Sequence, residues 1–400
     1  NVLEKEPNEN VKDATWNEEH QTVPLAFNGL IEKDKDEDYF KFKATKGQSL
    51  YIKCYSRRLR SKLDTAVYLY DEKGKYLRGA TDTGGADGQF TYTIPNDGYY
   101  FVRVRDELGN HGPDCTYRVE VTLNEPDIAV YLPDTRRYDT QTRKAVMVAR
   151  GNRFASLFYI RRENFSGDLE FEAQNLPKGM KLIAGIWPKA VTSYPVVFEV
   201  ADDAPIGGSI GNILVKTPKS EKVQVKGGVW QNYDLVQSGN RGTFYETWLD
   251  KISFAVVEKL PFKVHVEVPK TPIVRYGFRY LKIKVDREKG YDDPIRVTLL
   301  FKPPGIGSSS YITIPKGKTE GSYYISANGG AAIGDWKTTF LAEATVDGGR
   351  AWSSTDLFDF KIDDYFVSGK IPLVTTEQGK DCKIICEVTH KTPFEGKATI

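Results

Sequence analysis

Gln89-Phe-Thr-Tyr-Thr-Ile94, Pro95-Asn-Asp-Gly98 and Tyr99-Tyr-Phe-Val-Arg-Val104 are the consecutive stretches whose reading decides the fold. The outer two are short and rich in aromatic and β-branched residues with period-two alternation, which lays one face of a strand against a core. The middle one is turn chemistry. Working outward, the same pattern recurs in Tyr39-Phe-Lys-Phe42, Ser49-Leu-Tyr-Ile-Lys-Cys-Tyr55, Ala66-Val-Tyr-Leu-Tyr70 and Thr116-Tyr-Arg-Val-Glu-Val121. Turns at Lys46-Gly47, Asp71-Glu-Lys-Gly74 and Asp82-Thr-Gly-Gly-Ala-Asp-Gly88 separate them. No segment keeps a helical period for long. The pattern predicts a two-sheet antiparallel sandwich ending near Asn124-Glu-Pro126.

Composition agrees. Tyr 23 and Phe 20 against Met 2, with 20 prolines and 35 glycines among 400 residues, suit pleated surfaces joined by many turns. The length allows two to four domains. A net charge of +2 argues against nucleic acid as a partner. The most basic patch, Arg57-Arg-Leu-Arg-Ser-Lys62, and the pairs Arg136-Arg137 and Arg161-Arg162 read as solvated loop or strand faces, or as contacts for an acidic partner. No apolar run is long enough for a transmembrane helix, and the first residues lack the pattern of a signal peptide.

Beyond residue 124, further alternating runs appear at Lys144-Ala-Val-Met-Val-Ala149, Phe154-Ala-Ser-Leu-Phe-Tyr-Ile160, Asp168-Leu-Glu-Phe-Glu-Ala173, Val196-Val-Phe-Glu-Val200 and Gly211-Asn-Ile-Leu-Val215. Their spacing suits an immunoglobulin-like sandwich. A weak internal repeat follows. Residues 162–179 run charged turn, strand, then Leu176-Pro-Lys-Gly179, and residues 287–305 repeat this order, closing on Lys302-Pro-Pro-Gly305. Asp381-Cys-Lys-Ile-Ile-Cys-Glu-Val388 and the stretch 392–400 look like opening strands of another module, so the chain reads as a piece of a longer protein. The expected organisation is all-β in tandem antiparallel sandwiches: a jelly-roll-like domain at 1–124, Ig-like domains at 125–260 and 261–375, and the start of a further module at 376–400.

Cys54 and Cys115 both lie in or beside strands of the first module, and spacing leaves a disulfide and two buried thiols equally open. Cys382 and Cys386 read as sharing one face of a strand, too far apart to bridge each other. The four histidines form no zinc-spaced set with these thiols.

An oxygen-rich lip stands out. Glu4, Glu6, Asn8 and Glu9 lie on an extended leader, and Asp34, Asp36 and Asp38 alternate, so a strand start would turn all three the same way. Residue by residue this is either a solvated acidic turn interleaved with Lys33 and Lys35 or a set of hard ligands for a divalent cation.

Residues 4 to about 123 resemble the bacterial pre-peptidase C-terminal domain, a secreted β-sandwich related to the collagen-binding domains of clostridial collagenases. The residues that carry the resemblance are Glu6-Pro-Asn8, Asp36-Glu-Asp38-Tyr-Phe40, Lys46-Gly-Gln-Ser-Leu50, Leu63-Asp64 before the Tyr68-Leu-Tyr-Asp71 strand end with Gly74, and residues 95–104. It implies calcium as the cofactor, with Glu4, Glu6, Asn8, Glu9, Asp36 and Asp38 as ligands and Asp34 as a substitute for Asp36. The later modules resemble, more loosely, the bacterial Ig-like repeats that follow such domains.

Chemistry is not evident. There is no G-x-S-x-G, Walker or dinucleotide fingerprint, and the four histidines (His20, His111, His265, His390) stand in unrelated contexts. The chain therefore reads as non-catalytic, with no catalytic or organic-cofactor residues: a structural or adhesive region of a large exported bacterial protein, extracellular or at the cell surface. Its partners would be protein or polysaccharide of matrix or envelope, with self-association in a surface assembly as another expectation. The alternative is a carbohydrate-binding accessory region of a secreted hydrolase. Trp230 and Trp248, which bracket a glycine-bearing loop at 239–242, would then stack on sugars, although core or intermodule packing is the blander account.

Overall fold

The structure is a computed structural model and describes residues 1–82, 86–133, 144–237 and 243–390. Part of the Asp82–Gly88 turn, the Arg136-Arg137 pair, the loop at 239–242 and the stretch 392–400 lie outside these residues. The chain divides into two compact units between Pro126 and Asp127.

In the first unit, nine strands among the described residues form two sheets. They are β1 (Val2–Leu3), β2 (Leu25–Leu30), β3 (Glu37–Ala44), β4 (Ser49–Tyr55), β5 (Thr65–Asp71), β6 (Tyr76–Ala80), β7 (Gln89–Thr93), β8 (Gly98–Asp106) and β9 (Thr116–Leu123). One sheet runs β1-β2-β9-β4-β7 and the other β3-β8-β5-β6. Alternation fixes which side chains enter the core: Phe27, Leu50, Ile52, Val119 and Val121 from the first sheet meet Phe40, Phe42, Val102 and Val104 from the second. Phe27 stacks on Phe40 with ring centroids 4.7 Å apart, so the two sheets pack face to face.

The leader is held more firmly than its sequence suggests. Val2–Leu3 pairs in parallel with Phe27 and Asn28 of β2. Tyr39 N–H then donates to Asn8 O (3.0 Å), and Lys41 N–H to Thr15 O (2.9 Å). Backbone hydrogen bonds thus give the leader a direction that was not expected of it.

Among the described residues, the second unit opens with ten strands joined in one hydrogen-bonded network between residues 127 and 257, and continues with smaller sheets from Phe262 to Asp363. Their apolar cores run together, for instance through Tyr194 against Phe301 (5.9 Å). Buried Asn152 links the two sets, donating to Phe262 O (3.0 Å) and accepting from Ser353 Oγ (2.6 Å). The weak repeat is real as local structure. In each copy a long strand (Arg153–Glu163, Phe278–Arg287) leads through a charged turn to a short one (Glu170–Gln174, Ile295–Leu299). Each then reaches a proline-glycine turn whose glycine has positive φ, 84° at Gly179 and 82° at Gly305. The proline carbonyl accepts alike in both, from Met180 N (3.0 Å) and from Ile306 N (3.1 Å).

The all-β class holds, with corrections. The sheets are not purely antiparallel: besides β1–β2, Asp127–Tyr131 runs parallel to Lys226–Gln237, Val146–Ala149 to Ile252–Val257, and Ile273–Val274 to Phe358–Asp363. Near the end, only Glu387 and Val388 of the expected strand 381–388 pair, as part of Glu387–His390 against Val367–Lys370; Cys382 and Cys386 lie outside it, exposed and unbridged. Cys54 and Cys115 are free, buried thiols. Register explains this, because Val119 sits opposite Cys54, four residues along from Cys115. Burial pushes the Cys54 thiol up to about 12, so it is inert.

The basic patch forms a tight turn at Arg57–Leu59 and not a strand face. Three of its four charges are matched locally: Arg57 pairs with Asp64 (2.7 Å), Arg58 with Asp87 (3.8 Å) and Lys62 with Asp114 (2.8 Å). That leaves little unbalanced charge to attract a polyanion.

Candidate metal centre

The alternation that sends Phe40 and Phe42 inward also sends Asp38 inward, at the end of β3 where the sheets begin to part. On the facing sheet, the inward series Val121, Val119 ends in Tyr117. The two meet: Tyr117 Oη–H donates to Asp38 Oδ2 (2.5 Å) and lies 3.3 Å from Glu4 Oε2. Gly29 is the register partner of Tyr117, and a Cβ there would fall 2.2 Å from both the tyrosine hydroxyl and the Glu4 carboxylate. The cluster therefore occupies space that a missing side chain leaves.

Glu4, Glu6 and Asp38 each turn a carboxylate oxygen into a group whose members lie within 4.8 Å of one another. Glu4 is further fixed by Leu30 N–H (2.8 Å). Asn8 is fully buried. Its amide Nδ2 donates to Asp38 Oδ1 (3.0 Å) and Glu6 Oε1 (3.1 Å), and its Oδ1 accepts from Thr15 Oγ1 (3.3 Å). Asp36 is 2% exposed; its Oδ2 accepts from Glu32 N–H (2.6 Å), while its Oδ1 has no hydrogen-bond partner.

Electrostatics make the crowding explicit. Burial, then the neighbouring carboxylates, pushes Asp38 up to about 8 despite the Tyr117 hydrogen bond. Burial also raises Glu4 and Glu6, Glu6 further through Asp36 and Glu9. Tyr117 is held well above its ordinary value, first by burial and then by Asp38 and Glu4.

The donor set is entirely oxygen, three carboxylates and an amide, which suits a hard divalent cation over zinc or copper. One observation fits such an occupant: the buried Asp36 Oδ1, without a hydrogen-bond partner and 3.8 Å from the Lys33 ammonium, belongs to a carboxylate whose charge bears on both Glu6 and Asp38.

Two expected ligands lie elsewhere. Glu9 pairs with Lys33 (2.5 Å), whose hydrogen bond lowers its pKa. Asp34 sits in the exposed turn before β3, beside Lys35 with φ 62°, so the three aspartates do not share a face. Sequence reading missed Tyr117, Thr15 and Gly29. A tyrosine at an inward strand position reads as core, and Asn28-Gly29 reads as a turn although it lies within β2. Replacing Gly29 with alanine should displace Glu4 and Tyr117, lowering the stability of the first unit by about 2 kcal/mol in urea melts and weakening any cation response of the same sample.

His265 Nε2 faces Asp286 (2.7 Å) and His111 Nδ1 faces Gly109 O (3.0 Å), and neither contact involves a serine or cysteine. In the second unit Trp187 and Trp336 are buried. Trp230 and Trp248 are not core residues: they are 47% and 46% exposed.

Residues 36–106 match the bacterial pre-peptidase C-terminal domain family. Over 100 residues the chain is 30% identical to a probable subtilase-type serine protease of Deinococcus radiodurans; the aligned stretch covers 25% of this chain and 14% of that protein. The chain therefore spans only a small part of that relative's length. Among solved structures, the pre-peptidase C-terminal domain of collagenase from Bacillus anthracis aligns over 27% of this chain and 96% of its own, with 14% identity and a TM-score of 0.23. A Salmonella alpha-2-macroglobulin mutant aligns over 86% of this chain and 22% of its own, with 10% identity and a TM-score of 0.22. The match to the family model lies within the first unit.

Proposed function

We propose that this chain is a non-catalytic structural and adhesive region of a large exported bacterial protein, extracellular or at the cell surface. Its first unit is clamped by calcium, and Ig-like modules continue it. The observation that carries the reading is the convergence of the Glu4, Glu6 and Asp38 carboxylates, with buried Asn8 and Asp36 beside them, within a unit of which residues 36–106 match the pre-peptidase C-terminal domain family. Glu4, Glu6, Asn8 and Asp38 would hold the ion, with Asp36 as a further oxygen. When bound, the ion supplies charge compensation and no reaction chemistry. Tyr117 keeps Asp38 oriented, and the leader hydrogen bonds at Asn8 and Thr15 bring the first residues to the sheet edge. The partners in this reading are proteins or polysaccharides of the matrix or envelope, or other copies in a surface assembly.

Two measurements test it. Calorimetric titration of the chelator-treated chain with Ca²⁺ should give saturable binding that Glu6→Gln weakens; no heat at millimolar Ca²⁺ would remove the clamp. Protease shaving of intact cells should release fragments of this chain, whereas recovery only from cytosol would overturn the surface role.

A further inference from the structure

On the second unit, a groove of about 510 Å³ is lined by Ala129, Val130, Tyr131, Arg161, Trp230 and Trp248. Its size lies within the range of small-molecule sites. Strand register builds its floor. Trp230 is the partner of Tyr131 across the parallel ladder, Asn232 is the partner of Trp248 across the hairpin, and Arg161 is the partner of Ala129. With period-two alternation these residues share one face. Tyr131 also stacks on Tyr159 at 6.0 Å, continuing the aromatic surface.

Trp248 is exposed yet fixed. Its Nε1–H donates to Glu246 Oε1 (3.3 Å), and Glu246 Oε2 accepts from Asn232 Nδ2 (3.1 Å). Asn232 is buried and accepts from the ammonium of Lys144 through both its backbone and side-chain oxygens. That lysine is only 5% exposed. A buried cation is thus linked, through an amide and a carboxylate, to an indole at the surface.

We propose that this groove binds a neutral polysaccharide chain, with the indoles of Trp230 and Trp248 stacking on the C–H faces of sugar rings. The polar fringe favours this occupant. Arg161 is paired with Glu163 (3.0 Å), and Glu246 is tied into the Lys144 network, so among the described residues donors and acceptors of both signs stand at or beside the groove without a dominant charge. Among those residues a polyanion finds no excess cation, while hydroxyl groups find both kinds of partner. The two rings supply large apolar area at low cost in side-chain freedom. Glu246 is a positioning residue, acting through Trp248.

The intact chain is to be titrated with cellohexaose, xylohexaose, mannohexaose and chitohexaose, followed by tryptophan fluorescence and calorimetry. Saturable binding of at least one is expected, with Trp230→Ala and Trp248→Ala each weakening it at least about tenfold. Glu246→Ala should weaken it less and shift the emission of Trp248. Melting curves check that each variant is folded. Should an alanine variant unfold, Trp248→Phe replaces it, keeping a ring and most of the affinity. Absence of binding at millimolar sugar, or binding unchanged in the double alanine variant, would overturn the proposal. So would sedimentation showing that the indoles serve only to pair two copies of the chain.

Discussion

Calcium in hundredfold excess over its dissociation constant is expected to stabilise the first unit by about 2.7 kcal/mol, the amount that mass action gives any ligand of the native form alone. For a unit of this size that is a rise of about 10 °C in its melting temperature relative to chelator. The second unit, which has no part in the cluster, keeps its transition. Superimposable melts in chelator and in millimolar Ca²⁺ would reject the clamp. The pH dependence gives a sharper signature. Asp38 is raised from 3.8 to about 8 in the metal-free fold, so the folded form retains a proton that the unfolded form has lost across that interval. Its contribution is fully present below about 3.8 and declines as pH rises through about 8. In chelator, therefore, the first unit loses stability from pH 5 to pH 8, and excess calcium flattens the slope by occupying the place of the proton. Asp38→Asn should be more stable than the parent in chelator at pH 8, where it removes a buried charge, and should respond less to calcium. A mutation that removed only packing would be destabilising under both conditions.

Gly305→Ala is expected to destabilise the second unit by about 3 kcal/mol or more. Two costs add there. The backbone has φ 82°, in the left-handed region where an L side chain costs roughly 1–2 kcal/mol. The new Cβ would also lie 2.4 Å from Ala331 Cα and 2.7 Å from its N, backbone atoms that cannot swing aside; overpacking of this kind costs about 1–3 kcal/mol. Gly290→Ala provides the control, since φ is 93° there but nothing stands within 4 Å, leaving only the backbone cost. Gly179, at the matching turn, would press on Ala204 Cβ at 2.6 Å and should fall between the two. Urea melts read all three; equal losses at Gly305 and Gly290 would show that the close approach to Ala331 is unimportant.

Much of the fold was legible because alternation and turn chemistry agree where strands are short and one face is buried. Ser49–Tyr55 has the bounds its pattern gives, and Thr116-Tyr-Arg-Val-Glu-Val121 extends by only two residues. What escaped was strands that break the local rules. Leu25–Leu30 holds Asn28-Gly29, and Lys226–Gln237 holds Gly227-Gly228, so both carry turn residues inside a ladder. In each case a neighbour explains the glycine: Tyr117 and Glu4 crowd Gly29, and Ile128 crowds Gly227 at 3.0 Å. The parallel ladders escaped because pairing partners lie far apart in sequence. At the candidate centre, Glu4, Glu6, Asn8 and Asp38 were legible as oxygen donors, but side-chain direction in turns was not. Lys33 draws Glu9 away, and the strand begins too late to orient Asp34.

The two unbridged sulfurs of the first unit carry a consequence for how the protein matures. Sealed inside a finished core and far from the thiolate state, they require no oxidising partner and offer no foothold for scrambling with other chains. Biogenesis of that unit is therefore indifferent to redox poise. The only thiols within a reagent's reach are Cys382 and Cys386, a ready handle for attaching a reporter to the second unit.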